Sequence, residues 1–518
     1  MTLLWARLAH SLGIELNRNM NVEISNPLNV QKPTEPGQLP FTIDRELLIK
    51  TLQEAANRSI QLQRSTLASF TQKFEWHDTI QAFSGARLAG LGECFFWEQP
   101  AEQTTLIGIG ATTTIETNGS SCFTDSATAW RALINDAVIS YAPETEPMPG
   151  SGPVFFGGFA FDTLSPRTQI WSEFPDGLLI LPRFLLSYNA DHVTLTINST
   201  IQGTDSIELN ARKIEEDLSK LQTAIKHSPN IPRQHTTTPF SINENRPASE
   251  WMNMVANVVE KIRQGTFEKV VLARDIQLVL DDPSETFDIT STLQRLRENY
   301  PGAYVFAIQR GESFFIGATP ERLVLAQDGQ IHTMALAGSV RRGETEVEDT
   351  QLGAQLLQSE KNINEHIIVV AMVQEALKHH CTNVQVSTTP QLLKLKNLQH
   401  LQTPINGDLI PGRCILDVIA ELHPTPAVGG FPREVALEEI RNTEKLDRGW
   451  YAGPLGWIGA SGHGEFAVAL RSGLVDGAKA TLFAGCGIVS SSEPQIEYAE
   501  SWWKFQVMLR GLGGNNQG

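Results

Sequence analysis

Residues 267–274 read Phe-Glu-Lys-Val-Val-Leu-Ala-Arg, a short stretch in which a glutamate and a lysine precede four apolar residues. Its β-branched residues predict a strand, and alternation places Lys269, Val271 and Ala273 on one face of that strand. A lysine that shares a face with apolar neighbours is either partly buried or at an exposed edge. Burial would favour the neutral amine, which can act as a general base, whereas most lysines are simply solvated.

Similar runs recur on both sides of this segment, separated by glycine and asparagine turns. They predict antiparallel sheets from 82 to 117 and from 154 to 200, and further strands in the second half of the chain. The sequence therefore predicts an α+β fold with large antiparallel β-sheets flanked by helices. The predicted helices span 45–65, 125–138, 205–226, 249–264, 350–380 and 494–512, and the later strands lie near 268–280, 303–325, 450–458, 465–474 and 481–484.

The chain is expected to divide at one stretch poor in large apolar residues. Residues 226–249 contain prolines and a run of threonines, which is typical of a linker. We predict a variable leader over 1–44, an N-terminal α+β half over 45–248 and a catalytic half over 249–518. The linker can also be a surface connection within one body.

The composition limits the possible partners. At 518 residues, with 41% hydrophobic and 19% charged residues, it is that of a soluble globular protein. A formal charge of −17 argues against nucleic acid or anionic membrane, because both attract basic surfaces. An anionic small substrate needs a local concentration of basic residues or metal. The cysteines form no Cys-x-x-Cys pair, which favours a reducing cytoplasm, and the apolar run 367–373 is too short to span a membrane.

Several later residues carry charges in patterns that suit an active site, although each has a plain structural explanation. Glu321 follows a proline at a predicted strand end, where a turn with an internal ion pair fits equally well. Glu365 lies away from the apolar stripe of its helix, where a solvated position is the default. Glu497, Glu500 and Lys504 share one helical face, which can hold a divalent cation and its anion or form an ordinary ion pair.

Two further segments suit the binding of a carboxylate. Residues 482–489, Leu-Phe-Ala-Gly-Cys-Gly-Ile-Val, run from a strand into two glycines before the last helix. Amides freed there can bind an anion, although a glycine bulge with serine capping explains the same letters. Arg471 closes the strand Phe-Ala-Val-Ala-Leu-Arg, where a guanidinium can form two parallel hydrogen bonds to a carboxylate.

Taken together, these segments resemble the chorismate-utilising enzymes, a family that includes isochorismate synthase, salicylate synthase and the large chain of anthranilate synthase. The resemblance is strongest over 249–512, and residues 82–200 look like the more variable N-terminal half of the same fold, packed with the catalytic half as one body. The motifs that carry it are Phe-Glu-Lys-Val-Val-Leu-Ala-Arg (267–274), Ala-Thr-Pro-Glu-Arg-Leu (318–323), Ala-Leu-Ala-Gly-Ser-Val-Arg-Arg-Gly (335–343), Ser-Glu-Lys-Asn-Ile-Asn-Glu-His (359–366), Leu-His-Pro-Thr-Pro-Ala-Val-Gly-Gly-Phe-Pro (422–432), Asp-Arg-Gly-Trp-Tyr-Ala-Gly (447–453) and Phe-Ala-Gly-Cys-Gly-Ile-Val (483–489).

The resemblance implies a role for each matching residue. Lys269 matches the general base that activates water, and Glu321 matches the general acid that protonates the departing hydroxyl. Glu365 and Glu500 match ligands of Mg²⁺, with Glu497 as a further or water-mediated contact. The positions that match substrate-binding residues are Gly338, Ser339, His400, Ala427, Val428, Tyr451, Leu470, Arg471, Gly485 and Lys504.

The reaction that the resemblance implies is the Mg²⁺-dependent conversion of chorismate to isochorismate. Water activated by Lys269 attacks ring carbon 2 while Glu321 protonates the hydroxyl on carbon 4. Mg²⁺ holds the ring carboxylate, and Arg471 with Lys504 holds the enolpyruvyl carboxylate. His423 lies in the His-Pro-Thr-Pro motif, and we do not assign it a direct part in the reaction.

A lysine at the base position resembles the water-using branch of the family, and no glutamine amidotransferase segment is present to supply ammonia. Residues 335–343 and the long N-terminal half resemble isochorismate synthase of the menaquinone pathway, and we expect a monomeric isomerase. Salicylate synthase, which eliminates pyruvate in a second step, and a siderophore-pathway isochorismate synthase are the alternatives. A catalytically silent subunit that binds chorismate or metal is the alternative of a different class.

Overall fold

The computed structural model describes residues 16–17, 42–76, 78–190, 192–228, 239–394 and 398–514. The predicted leader therefore lies almost entirely outside the described residues. The described residues form an α+β protein whose sheet is largely antiparallel, which confirms the predicted fold class.

The described strands are numbered β1 to β22 and the helices α1 to α11 in chain order. The strands are β1 Leu16–Asn17, β2 Thr66–Lys73, β3 Cys94–Gln99, β4 Thr104–Thr117, β5 Val138–Tyr141, β6 Val154–Phe159, β7 Gly177–Asn189, β8 His192–Ile201, β9 Phe240–Glu244, β10 Lys269–Leu280, β11 Tyr304–Arg310, β12 Ser313–Thr319, β13 Arg322–Gln327, β14 Gln330–Arg341, β15 Cys381–Ser387, β16 Gln391–Lys394, β17 Leu398–Leu409, β18 Gly430–Phe431, β19 Pro454–Gly459, β20 Gly464–Val468, β21 Ser472–Asp476 and β22 Lys479–Ile488. The helices are α1 Arg45–Leu62, α2 Thr79–Leu88, α3 Cys122–Asn135, α4 Ile207–His227, α5 Ala248–Arg263, α6 Ile289–Asn299, α7 Glu346–Gln358, α8 Glu360–Lys378, α9 Ile415–Leu422, α10 Arg433–Glu444 and α11 Pro494–Gly511.

Several helices begin at a side chain that caps their first turn. The Asp44 carboxylate accepts a hydrogen bond from the Leu47 amide at 3.0 Å, and Asp288 does the same for the Ser291 amide at 3.1 Å. Such bonds satisfy amides that have no partner within the helix. Short polar residues before apolar runs therefore set where these helices start.

The sheet has two arms that share one long strand, β7. Residues 184–189 of β7 pair with β8, whereas residues 177–180 pair with β6. The first arm runs β9–β10–β22–β21–β12–β11–β3–β4–β7–β8–β2–β5. The second runs from β7 through β6–β19–β20–β13–β14–β17, with β15 and β16 both on β17.

The first arm buries both of its faces. In β3, Phe95 and Trp97 join one apolar core with strands of the second arm and helices α7 to α10, whereas Cys94 and Phe96 join a second core beneath α1, α2, α4, α6 and α11. Alternation of side chains along the strand produces this division. The first arm is therefore a central layer, and the candidate site lies at its β10–β22 end.

The structure corrects four of the predicted elements. The helix predicted over 350–380 is two helices, because Ser359 has extended ψ (109°) and caps the second one. The strand predicted over 465–474 is broken by Arg471, whose φ is +51°. The strand predicted over 303–325 is three strands, β11 to β13. The stretch predicted as a linker contains strand β9, which pairs with β10.

Candidate active site

Lys269 is the first residue of β10 and pairs across the sheet with Phe431. Its Nζ lies 3.2 Å from Glu365 Oε1, and 17% of its side chain is exposed. A Cβ at Gly487 on the neighbouring strand would lie 3.2 Å from Lys269 Cε. The glycine therefore leaves room for the lysine side chain, which is partly buried, as one of the two interpretations of this strand predicted.

Glu365 is brought to Lys269 by helix α8, and its position is half-buried rather than solvated, contrary to the default expectation. The next residue, His366, is fully buried and anchors the helix: its Nδ1 lies 3.1 Å from the Ala337 carbonyl and its Nε2 lies 2.7 Å from Thr403 Oγ1. Burial lowers the pKa of His366 to about 4, so the ring is neutral near pH 7. A neutral histidine fixes α8 against β14 and β17 and thereby places Glu365.

Glu321 lies between strands β12 and β13, and its backbone carbonyl accepts a hydrogen bond from the Val468 amide at 2.9 Å. Burial raises the pKa of Glu321 to about 7, and the positive charges of Arg471 and Lys269 oppose that rise. A carboxyl group with this pKa is partly protonated near neutral pH and can donate a proton. The charges of Arg471 and Lys269 therefore both act on the Glu321 carboxyl group.

Helix α11 presents its charged face to the end of β22. Lys504 Nζ lies 2.6 Å from Glu500 Oε1 and donates a hydrogen bond to the Gly485 carbonyl at 2.7 Å. The ordinary i,i+4 ion pair is therefore present. Ligand atoms of Glu497, Glu500 and Cys486 lie within 4.8 Å of one another, a spacing that can hold a metal ion. Glu365 is outside this group and contacts Lys269 instead.

Burial perturbs the groups at this end of the helix. It raises the pKa of Glu497, and it raises the pKa of Cys486 to about 12, so that the thiol is neutral. The Cys486 thiol donates a hydrogen bond to the Glu497 carbonyl at 3.2 Å. The carboxylates are therefore the charged donors that the group offers to a cation.

Gly485 lies opposite Ala273 in the ladder between β10 and β22. Ala273 donates its amide to Glu444 Oε2 on the far side, at 2.8 Å, so this pair of residues does not exchange ladder hydrogen bonds. The backbone groups of Gly485 consequently face away from β10, and Lys504 takes the carbonyl. The amide of Gly485 faces the same side as its carbonyl, where we expect an anion to bind.

Gly338 shifts the register between β14 and β17, and its φ of +78° suits a residue without a side chain. This bulge sets Ser339 opposite His400, and Ser339 Oγ lies 2.6 Å from His400 Nδ1. Burial, with the charges of Arg471 and Lys504, lowers the pKa of His400 to about 4. The two side chains form a neutral hydrogen-bonded pair beside the charged groups.

The remaining predicted positions are buried or half-buried. Ala427 and Glu321 line one cavity of about 350 Å³, part of which is open solvent. Val428 and Tyr451 are 2% exposed, and the Tyr451 ring stacks on Phe483 with centroids 5.3 Å apart. Leu470 and Arg471 follow β20 in the turn beside Glu321 and are half-buried. None of these positions lies on a remote surface.

His423 makes its hydrogen bond to the backbone of the N-terminal region. Its Nε2 contacts the carbonyl of Phe161 at 2.9 Å, and it is 7% exposed. Burial lowers its pKa to about 4. Its contacts are those of a structural residue, which agrees with the decision to assign it no direct part.

The sequence prediction missed two charged residues that lie behind this site, Glu444 and Arg448. Both are almost completely buried, with side chains 1% and 3% exposed. The motif Asp-Arg-Gly-Trp-Tyr-Ala-Gly contains Arg448, but only Tyr451 was chosen from it. The signal available was an arginine embedded between aromatic and glycine residues, where solvation is unfavourable.

Comparisons with known proteins agree on one family. A family model described as "Chorismate binding enzyme" matches residues 50–513. Isochorismate synthase MenF of Bacillus subtilis (strain 168) is 35% identical over 470 residues, which cover 90% of this chain and 98% of that protein. A protein of Pseudomonas aeruginosa named salicylate biosynthesis isochorismate synthase is 35% identical over 468 residues, covering 90% and 94%.

Solved structures give the same fold. The menaquinone-specific isochorismate synthase MenF of Escherichia coli matches with a TM-score of 0.70 and 25% identity, covering 89% of this chain and 99% of that one. Anthranilate synthase component I of Streptococcus pneumoniae TIGR4 matches with a TM-score of 0.63 and 20% identity, covering 78% and 92%. The second likeness concerns the fold alone. Within the described ranges, every helix is too short or too polar to span a membrane.

Proposed function

The chain belongs to the chorismate-binding enzyme family, and from this premise we propose that it is an isochorismate synthase, an isomerase that converts chorismate to isochorismate. One observation carries the proposal most directly. Glu321, whose pKa is raised to about 7, lies within the electrostatic influence of Lys269, which in turn contacts Glu365. These two interactions support a site in which a proton donor, a basic side chain and an acidic side chain act together.

In the proposed reaction Lys269, in its neutral form, accepts a proton from water as the water oxygen attacks ring carbon 2. Glu321 donates a proton to the hydroxyl on carbon 4, which leaves as water. Simultaneous donation and acceptance avoid a free hydroxide or an unassisted ring cation. The partial burial of both groups keeps bulk water from competing with the substrate.

Arg471 and Lys504 would bind the enolpyruvyl carboxylate of the substrate. Both are half-buried, and the positive charge of each acts on His400. A chain with a formal charge of −17 repels a dianion overall, so its site needs such local positive charge. Ser339, His400 and the amide at Gly485 offer neutral hydrogen-bonding groups around the ring.

We propose Mg²⁺ as the cofactor, held by Glu500 and Glu365 with Glu497 as a further contact. The donor set fits, because carboxylate oxygens are hard ligands that suit Mg²⁺. Glu497 and Glu500 already lie close enough together to share an ion. The bound ion would supply positive charge that binds and polarises the ring carboxylate. Glu365 would have to turn from Lys269 to take part.

We propose the menaquinone pathway, because MenF of B. subtilis is matched over 98% of its length and the menaquinone-specific enzyme of E. coli has the same fold. The P. aeruginosa protein of salicylate biosynthesis is matched over 94% of its length, so that pathway is the second candidate. We further propose that the chain works as a monomer in the cytoplasm, without a glutamine amidotransferase. All five cysteines are buried and unpaired, which suits a reducing compartment.

Incubation of the purified chain with chorismate and Mg²⁺, followed by separation of the products, tests the proposal. Isochorismate as the sole product is expected. Salicylate with pyruvate would replace the proposal with a salicylate synthase, and ammonia-dependent anthranilate would indicate the other branch of the family. Unchanged chorismate under all these conditions would favour a non-catalytic subunit. Rescue of a bacterium that lacks its menaquinone-pathway isochorismate synthase would test the pathway.

A further inference from the structure

Strand β10, which begins with Lys269, is bordered unevenly on its two sides. On one side β22 pairs with it continuously from Val270 to Val279. On the other side β18 ends opposite Val270, and β9 begins opposite Ile276. Among the described strands none borders residues 271–275 on that side, so their backbone groups need other partners.

The side chains of Arg448 and Glu444 fill part of this gap. Arg448 Nη2 donates to the Val271 carbonyl at 2.8 Å, and Glu444 Oε2 accepts from the Ala273 amide at 2.8 Å. Hydrogen bonds from successive alternate residues are those that a neighbouring strand would make. The ion pair thus makes, at Val271 and Ala273, the hydrogen bonds that a neighbouring strand would otherwise make.

The same pair reaches the opposite wall of the site. Arg448 Nη1 donates to the carbonyl of Val428 at 3.1 Å, and its guanidinium lies 4.2 Å from the centre of the Phe161 ring. The Val271 amide also donates to the Gly429 carbonyl at 2.8 Å. The strand of Lys269 and the loop of Val428 are therefore joined both by this backbone hydrogen bond and by the Arg448 guanidinium, which bonds to a carbonyl on each side.

The geometry of the pair is rigid. Arg448 Nε and Nη2 each lie 2.7 Å from one oxygen of Glu444, a bidentate arrangement that a lysine cannot make. Both side chains are almost completely buried, where a charge without its partner is strongly disfavoured. Other positions of either side chain would leave backbone groups unsatisfied, so the arrangement is well determined.

We propose that the Arg448–Glu444 pair positions Lys269 for catalysis by holding β10 at a fixed distance from the loop of Val428. The inference rests on the proposed function and adds positioning residues to it. Neither residue is placed among the groups that touch substrate or metal. Loss of the pair is expected to lower kcat by about 10- to 100-fold, because a misplacement near 1 Å can have such an effect.

The test replaces the pair by apolar residues of similar size, Arg448→Met with Glu444→Leu. Such replacements of buried ion pairs often preserve stability, whereas the removal of one partner does not. The control is Arg297→Met with Glu98→Leu, an ion pair whose carboxylate is buried and whose arginine is 25% exposed. Arg448→Lys is a milder variant, because a lysine ammonium can keep one of the two hydrogen bonds that Arg448 donates to backbone carbonyls.

Turnover is measured per folded molecule, with the folded fraction taken from near-ultraviolet circular dichroism at the assay temperature. The expected result is a lowered kcat for the Arg448/Glu444 variant, an intermediate value for Arg448→Lys, and an unchanged control. The KM for chorismate and the half-saturating Mg²⁺ concentration should remain near those of the unmodified chain, because their proposed ligands are elsewhere. If the apolar variant does not fold, the kcat, the KM and the half-saturating Mg²⁺ concentration of Arg448→Lys test the proposal instead.

An unchanged kcat per folded molecule, or a raised KM at unchanged kcat, would overturn the positioning role. So would an equal loss in the control pair, because it would mean that any buried ion pair matters in the same way. These results leave the proposed function intact. Absence of isochorismate from the unmodified chain would overturn that function and the positioning role with it.

Discussion

The described residues before 229 and those after 238 contribute differently to one sheet. Strands β3 and β6 of the first region pair with β11 and β19 of the second, so the sheet crosses the division that we predicted near residue 248. Every candidate catalytic, metal-binding and substrate-binding residue nevertheless lies between 269 and 504. The comparison teaches that the proposed chemistry is confined to one region, whereas both regions contribute strands to the sheet.

Buried charge shows the difference most clearly. In the first region Glu98 is 3% exposed and is held by Arg297, Thr79 and Thr105. Its partners satisfy it, as expected for a structural charge. In the second region Glu321 is half-buried, and burial raises its pKa to about 7 despite the nearby positive charges. Perturbed groups of this kind are typical of active sites.

Lys269→Ala should have the largest effect and would establish that the chemistry belongs to the second region. Loss of a general base is expected to lower turnover by about 100- to 10,000-fold. Binding of chorismate in the presence of Mg²⁺, measured by calorimetry, should persist because its proposed anchors remain. Lys261→Ala, at the Glu439 ion pair, is the control and should keep full activity. Retention of turnover in Lys269→Ala would remove this residue from the mechanism.

Glu321 is expected to make both kcat and the free energy of unfolding depend on pH. Because its folded-state pKa is about 7, kcat should fall as the pH rises through that value, and Glu321→Gln should be nearly inactive. The folded pKa is above the ordinary value of 4.5, so this group lowers the free energy of unfolding as the pH rises from about 4.5 to about 7. The free energy of unfolding of Glu321→Gln, measured by denaturation across that pH interval, should not show this fall. An identical pH profile for stability in both proteins would contradict the assignment.

Glu500→Gln tests the cation within the second region. Removal of a ligand charge should raise the half-saturating Mg²⁺ concentration by at least about tenfold, since even indirect contacts to a metal have effects of that size. Glu493→Gln, an exposed change one residue before α11, is the matched control. Equal Mg²⁺ titrations for Glu500→Gln and the unmodified chain would exclude Glu500 as a ligand.

Phe156→Ala should have the smallest kinetic effect, and it tests whether the first region takes part in catalysis. Phe156 is fully buried and stacks on Phe95 with centroids 4.3 Å apart. The cavity left behind should lower the free energy of unfolding by about 3–5 kcal/mol. The kcat and KM of the folded fraction should be unchanged. A specific loss of turnover at full folding would show that the first region also takes part in catalysis.

The fold class and most long elements could be predicted, because strands of apolar and β-branched residues carry a local signal. Helix α11 begins at Pro494, as predicted, since proline suits the first turn. The break at Ser359 could not be seen, because helical spacing continues on both sides of it. Strand β9 was also hidden: its residues are mostly exposed, so only its pairing with β10 makes it a strand.

The candidate site was predictable where the resemblance supplied a motif and unpredictable where distant elements meet. The contact between Lys269 and Glu365 joins residues 96 positions apart, and no periodicity encodes it. Glu444 and Arg448 are four residues apart, and nothing in the sequence around them indicates that both are buried. Their burial depends on β10 and on the Val428 loop, which pack around them only in the folded chain.

Arg471 has a further consequence for laboratory evolution. A residue with a side chain in the left-handed backbone region costs about 1–2 kcal/mol relative to glycine, and Arg471 has φ +51°. Selection for heat resistance alone would therefore favour glycine at this position and remove the proposed substrate anchor. Selection for product formation would retain the arginine and accept a less durable molecule, so the two screens should yield different residues at this turn.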